Sequence, residues 1–188
     1  MIKQIRMKVY FIRHAEGQHN VEENYTIFDP QLTNKGIIQC NKVKDQLNKV
    51  DFDKIYVSPL LRTIQTYLNI VESEDVEICD LIREVVVNPC DYRHSKVFLE
   101  NKYKMLNFDN LSDTKNLNNV ENSAMVDNRC NLFFEILNNS SYKNILVVSH
   151  GEFLKQFLKR FHQELKIENL SWFNNCEIRV GTLFNNTF

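Results

Sequence analysis

The chain has 188 residues, 23 basic against 24 acidic side chains and a formal net charge of −1, a length that suits one domain, residues 1–188, with a substantial core. Balanced charge without a basic or acidic tract disfavours nucleic acid as a partner, and no apolar run approaches the roughly 20 residues needed to span a membrane. Five cysteines, odd in number, widely spaced and without a C-x-x-C pair, argue against a disulfide framework or a zinc site and for reduced thiols in the cytoplasm.

In chain order, residues 8–13 read as a first strand, because Val9, Tyr10, Phe11 and Ile12 are β-branched or aromatic, and the run ends on Arg13-His14. Thr33 suits the cap of a helix over 34–49, whose apolar residues Ile37, Ile38, Val43 and Leu47 recur near the helical period. A strand over 54–57 follows, and Pro59 marks a strand-to-helix turn where its fixed φ and missing N–H are tolerated. A helix over 60–71 and a strand over 76–79 continue the alternation. Residues 100–119 are polar and weakly periodic, which predicts a loop or insertion with room for one short helix.

A helix over 122–137 carries Met125, Val126, Cys130, Phe133, Phe134 and Leu137 at helical spacing and leads to a strand over 144–149. Phe153, Leu154, Phe157, Leu158 and Phe161 repeat that pattern over 152–162, and a last strand spans 177–183. Strands alternating with helices imply βαβ units and a three-layer α/β/α sandwich with a mostly parallel sheet.

Reactive side chains gather where these strands end. Arg13-His14, Ser58-Pro59-Leu60-Leu61-Arg62, Arg83-Glu84 and Ser149-His150-Gly151 all end or follow a strand, on the edge where open α/β sheets bind ligands. Three arginines, Arg13, Arg62 and Arg83, and two histidines on one edge of a nearly neutral chain favour an anion, phosphate above all. Guanidinium planes hold phosphate oxygens in pairs, and the helix start after Gly151 offers free N–H groups. A single histidine or arginine in such a place is usually structural, so the weight rests on the set.

Phe11-Ile12-Arg13-His14-Ala15-Glu16-Gly17 resembles the R-H-G signature of the histidine phosphatase superfamily, which contains the phosphoglycerate mutases. Asp29-Pro30-Gln31-Leu32-Thr33-Asn34-Lys35-Gly36 resembles its D-x-x-L-T-x-x-G element, the run from Ser58 through Gln65-Thr66 its S-P-L-x-R-x-x-Q-T segment, and Val148-Ser149-His150-Gly151 its second-histidine segment. The resemblance implies a phosphoglycerate mutase-like fold, His14 as the nucleophile that becomes phosphorylated, and Arg13, Arg62 and His150 around the phosphoryl oxygens. It implies Glu84 as proton donor, no metal and no organic cofactor. Asn20 matches a position that donates to phosphate, with capping of the short segment after Gly17 as the lesser alternative.

The chain also departs from the pattern. Ala15 stands where glycine is usual, Pro89-Cys90-Asp91-Tyr92-Arg93-His94 resembles a P-C-D-x-R element of mutase-like proteins, and no counterpart of the mutases' substrate-clamping segment follows Glu84. Phosphomonoester hydrolysis is therefore favoured, on a small phosphorylated metabolite or a phosphoprotein. Mutase-type transfer and a non-catalytic phosphate-binding module are the alternatives. Arg93 and His94 either read the substrate's distal end or belong to a solvated basic loop, Cys90 reads as an inert thiol, and a glutamate at position 84 could instead be a solvated acid.

Overall fold

A computed structural model describes residues 3–73, 75–112 and 118–187. Five strands, β1 (Lys3–Arg13), β2 (Lys54–Val57), β3 (Val76–Ile78), β4 (Asn144–Ser149) and β5 (Ile178–Thr187), form one sheet in the order β3-β2-β4-β1-β5. All neighbours run parallel except β5, which lies antiparallel to β1. The helices are α1 (Gln18–Glu22), α2 (Asn34–Leu47), α3 (Leu61–Ile70), α4 (Lys96–Lys102), α5 (Ser123–Asn138) and α6 (Gly151–Phe161). This is the sandwich that the alternating pattern predicts.

Side chains of a strand alternate between faces, and the core divides accordingly. Val9, Phe11, Ile145 and Val147 face α5 and α6, where Phe133, Phe153 and Phe157 pack upon them. Ile12, Leu146 and Val148 face the other way, against Cys40 and Leu47 of α2 and Ile64 and Tyr67 of α3. A sheet covered on both faces needs apolar residues at every position, which is why β4 reads as a continuous run.

Three details differ from what the sequence suggests. Ile37 and Ile38 are 40% and 55% exposed, because α2 instead buries Gly36, Cys40 and Leu47. Gly36 lies against the Glu16 carbonyl, which a Cβ would strike, and this close approach sets the helix rotation. Met125 likewise points outward. The short helix near the polar stretch starts before it and runs into it, at Lys96–Lys102, and residues 113–117 of that stretch lie outside the described residues.

Thr33 caps α2, its hydroxyl accepting the Gly36 N–H at 3.0 Å while donating to Glu16 Oε1 at 2.9 Å. Thr33→Ala is expected to lower stability by about 1 kcal/mol, the usual cost of a lost N-cap, measurable by urea denaturation.

Candidate active site

The pairing of β1 with β4 sets Arg13 opposite Ser149, so the residues that follow, His14 and His150, leave the sheet side by side. The His14 N–H continues the ladder to the Ser149 carbonyl at 2.9 Å, and β2 adds the Ser58 N–H bonded to Val148 O at 3.0 Å. Three strand ends thus meet in one place. The two imidazoles lie 5.2 Å apart between ring centroids, and both are buried.

His14 Nδ1 lies 2.7 Å from the Ala15 carbonyl. A carbonyl only accepts, so Nδ1 carries the proton and Nε2 keeps its lone pair. Arg62 Nε donates to that Nε2 at 3.3 Å. Burial first, and then the charges of Arg62 and Arg13, hold the His14 pKa well below its ordinary value. The ring is therefore neutral at physiological pH, with one free nitrogen facing a guanidinium.

Arg62, near the start of α3, is only 1% exposed. Its Nη1 donates to Cys90 O at 2.7 Å, and its Nη2 lies 3.6 Å from Asp91 Oδ1. The Pro89-Cys90-Asp91 turn thus anchors this arginine, while burial raises the Cys90 thiol to about 12, as an inert thiol requires. Asp29 accepts the Leu61 N–H at 2.9 Å and so ties down the turn into α3. Burial raises its carboxyl to about 7 against the pull of Arg62.

Arg13 donates from Nη1 to Phe173 O at 2.8 Å and lies over the Trp172 ring, 5.5 Å from its centroid, while its Nε is buried without a partner. Gly151 is needed there, since a Cβ would lie 2.7 Å from the Trp172 ring and 3.3 Å from Arg13 Nε. His150 caps α6 with its backbone, meets Ser58 Oγ through Nε2 at 2.7 Å and leaves Nδ1 unpartnered. Burial, then the charge of Arg62, keeps His150 neutral as well. Unsatisfied buried polar atoms are uncommon, and Arg13 and His150 each keep one in this place.

Glu84 accepts from Val85 N and Phe153 N, both at 2.9 Å, and from Glu152 N at 3.3 Å. It therefore sits across the start of α6. Loss of solvation and the nearby Asp91 carboxylate raise its pKa, outweighing the charge of Arg62 and those N–H groups.

Asn20 Oδ1 accepts from Gly17 N at 3.0 Å and from Asn175 Nδ2 at 3.4 Å, and its amide contacts His19 Nε2 at 3.2 Å. It closes the start of α1 and is linked to the His14 backbone through Asn175. Two neighbours escaped the sequence reading. His19 is a third buried imidazole, 5.8 Å from His14, and burial lowers its pKa to about 3. Its place five residues after His14 was the available signal. Asn175, which donates to His14 O at 3.0 Å, had none.

Arg93 and His94 are engaged elsewhere. Arg93 is buried with Nε and Nη2 on Asp80 at 2.9 and 3.1 Å, and it donates to His94 O and Ser112 O. It clamps loops rather than forming a solvated basic patch. His94 stacks on Phe98 at 3.8 Å and meets Phe28 edge-on. Among the described residues no group of three histidine, cysteine, aspartate or glutamate side chains has metal-site geometry, and no helix is long and apolar enough to cross a membrane.

Comparison with known proteins agrees with this architecture. Phosphoserine phosphatase 1 of Hydrogenobacter thermophilus is 36% identical over 73 residues, covering 38% of this chain and 35% of that protein. The adenosylcobalamin/alpha-ribazole phosphatase of Escherichia coli is 27% identical over 164 residues, 82% of this chain and 78% of that one. Among solved structures, the ecdysone phosphate phosphatase of Bombix mori shares the fold with a TM-score of 0.72 at 13% identity, covering 93% of this chain and 88% of its own. The model of the histidine phosphatase superfamily (branch 1) matches residues 9–187, and the chain belongs to that superfamily as a phosphatase-type member.

Proposed function

We propose that the protein hydrolyses phosphomonoesters of small metabolites through a phosphohistidine on His14, with Glu84 as proton donor. The observation that carries this reading is the His14 tautomer. Nδ1–H is held by Ala15 O, so Nε2 presents its lone pair beside Arg62. That nitrogen forms the N–P bond while the ester P–O bond breaks and the Glu84 proton passes to the departing alcohol. Water then attacks phosphorus, returns a proton to Glu84 and releases phosphate as the N–P bond breaks. Arg13, Arg62 and His150 supply donors to the equatorial oxygens, where charge is spread during transfer. Asn20 and the Gly151 N–H complete the phosphate cradle.

The raised pKa of Glu84 supports its role. A carboxyl that keeps its proton to higher pH remains an acid closer to neutrality. Turnover is then expected to fall as pH rises through the raised value, since only the protonated form assists departure. Glu84→Gln is expected to lower kcat by about 10²- to 10⁴-fold for poor leaving groups and to flatten that alkaline limb; an unchanged limb removes Glu84 from this role.

The reading as a whole is tested by incubating the protein, with a metal chelator present, with phosphoserine, alpha-ribazole phosphate and the phosphoglycerates. The first two are compounds named for its relatives. Release of inorganic phosphate is the expected result. Isomerised phosphoglycerate without free phosphate means a mutase, and binding without turnover means a phosphate-binding module.

A further inference from the structure

All five cysteines are buried and unbridged, but two of them touch. Cys176 Sγ lies 4.0 Å from Cys40 Sγ, across 136 positions of sequence. The thiol–thiol hydrogen bond runs from Cys176 to Cys40, and it lowers the Cys40 pKa. A thiol that accepts such a bond gives up its own proton more readily, and the thiolate is the reactive form.

Both cysteines are wired to the segment that carries His14. The Cys176 backbone N–H donates to Arg13 O at 3.1 Å and to His14 O at 3.4 Å, and the adjoining Asn175 side chain holds His14 O as well. Cys176 also has φ of 59°, a left-handed conformation that a non-glycine residue holds only when its surroundings enforce it. Cys40 bonds to Thr66, whose hydroxyl accepts the Ala15 N–H at 3.0 Å. The residue before Cys40, Gln39, accepts the Glu16 N–H at 2.8 Å. The touching sulfurs therefore sit where residues near Cys176 hold Arg13 and His14 and residues near Cys40 hold Ala15 and Glu16.

We propose that Cys40 and Cys176 are an oxidation site whose disulfide, formed with a peroxide, displaces the His14 segment and silences the pocket until it is reduced. A disulfide needs its sulfurs about 2.05 Å apart, so closure draws the contact in by about 2 Å. Cys176 moves with the backbone that holds His14 O. One thiolate displaces hydroxide from hydrogen peroxide to give a sulfenic acid and, with a proton, water. The second thiol then displaces the sulfenic oxygen as another water, so the sulfurs lose two electrons and the peroxide gains them.

The test treats the reduced protein with hydrogen peroxide, blocks remaining thiols and maps the peptides without reduction. In parallel, affinity for inorganic phosphate and any ester turnover are measured before and after dithiothreitol. A Cys40–Cys176 cross-link is expected, with at least a tenfold loss of phosphate affinity that dithiothreitol reverses. Cys40→Ser and Cys176→Ser, made separately, are each expected to bind phosphate as the untreated wild type does and to resist the oxidant. If both thiols are alkylated when the peroxide-treated protein is denatured without reductant, the proposal fails. It fails equally if the cross-link forms and phosphate affinity is unchanged. Since mapping and phosphate binding need no turnover, absence of esterase activity would count against the proposed hydrolysis alone.

Discussion

His14→Ala is expected to lower phosphate-ester turnover by at least about 10⁴-fold, the scale seen when a nucleophile that acts with its partners as one unit is removed. The reason is covalent. No other side chain in the pocket combines a proton-free nitrogen, burial and a guanidinium set against that nitrogen. His150 is neutral too, but its Nε2 already meets Ser58 Oγ at 2.7 Å, and His19 Nε2 faces Asn20. Folding of the variant is checked by circular dichroism, since the imidazole is buried and its loss leaves Arg62 Nε without that acceptor. The variant is also expected to lose acid-labile, alkali-stable labelling by a phosphate donor. Labelling that persists in folded His14→Ala would move the nucleophile elsewhere.

Glu121→Ala is expected to destabilise the protein by about 3–5 kcal/mol, the range for removing one partner of a buried charge cluster. Glu121 is the shared carboxylate of two guanidiniums. Arg83 Nη2 reaches Oε1 at 2.8 Å, and Arg129 reaches both oxygens at 2.8 and 2.7 Å. Without it, two buried positive charges face each other. Burial alone would raise the Glu121 pKa, but the hydrogen bond and charge of Arg129, then the charge of Arg83, leave it lowered.

A carboxyl lowered in the folded state contributes stability that is complete above its ordinary pKa and is lost as pH falls through the folded value. The difference between wild type and Glu121→Ala in urea is therefore expected to shrink at strongly acidic pH. A constant difference would mean that the cost is one of packing rather than charge. The same cluster bears on catalysis, since Arg129 also holds the carbonyls of Leu81, Arg83 and Glu84 at 2.6, 3.1 and 3.4 Å. Loss of Glu121 is expected to lower kcat in the protein that remains folded.

Much of the fold was legible because it follows from periodicity. The spans of β2 and β4 agree with their apolar runs, and α2 begins after the Thr33 cap. The rotation of α2 was not legible, because Ile37 and Ile38 share its helical period with Gly36 and Cys40. Only the close approach of Gly36 to Glu16 chooses between those faces. Arg93 shows the same limit for charge. A basic residue beside a histidine reads as solvated or substrate-facing until Asp80 is found beneath it.

The sequence by itself determined the kind of site: which strands end in arginine and histidine, in which order, and that such a set suits phosphate. Those features are local, written in runs of a few residues, and survive without coordinates. The tertiary structure decided everything that depends on partners far away in the chain. The His14 tautomer belongs to the local turn but gains its meaning from Arg62, 48 positions on. Asn175 reaches His14 across 161 positions, and Cys176 meets Cys40 across 136. Contacts of that separation arise from strand order and helix rotation, which are set by packing the whole core at once and leave no periodic trace in the sequence.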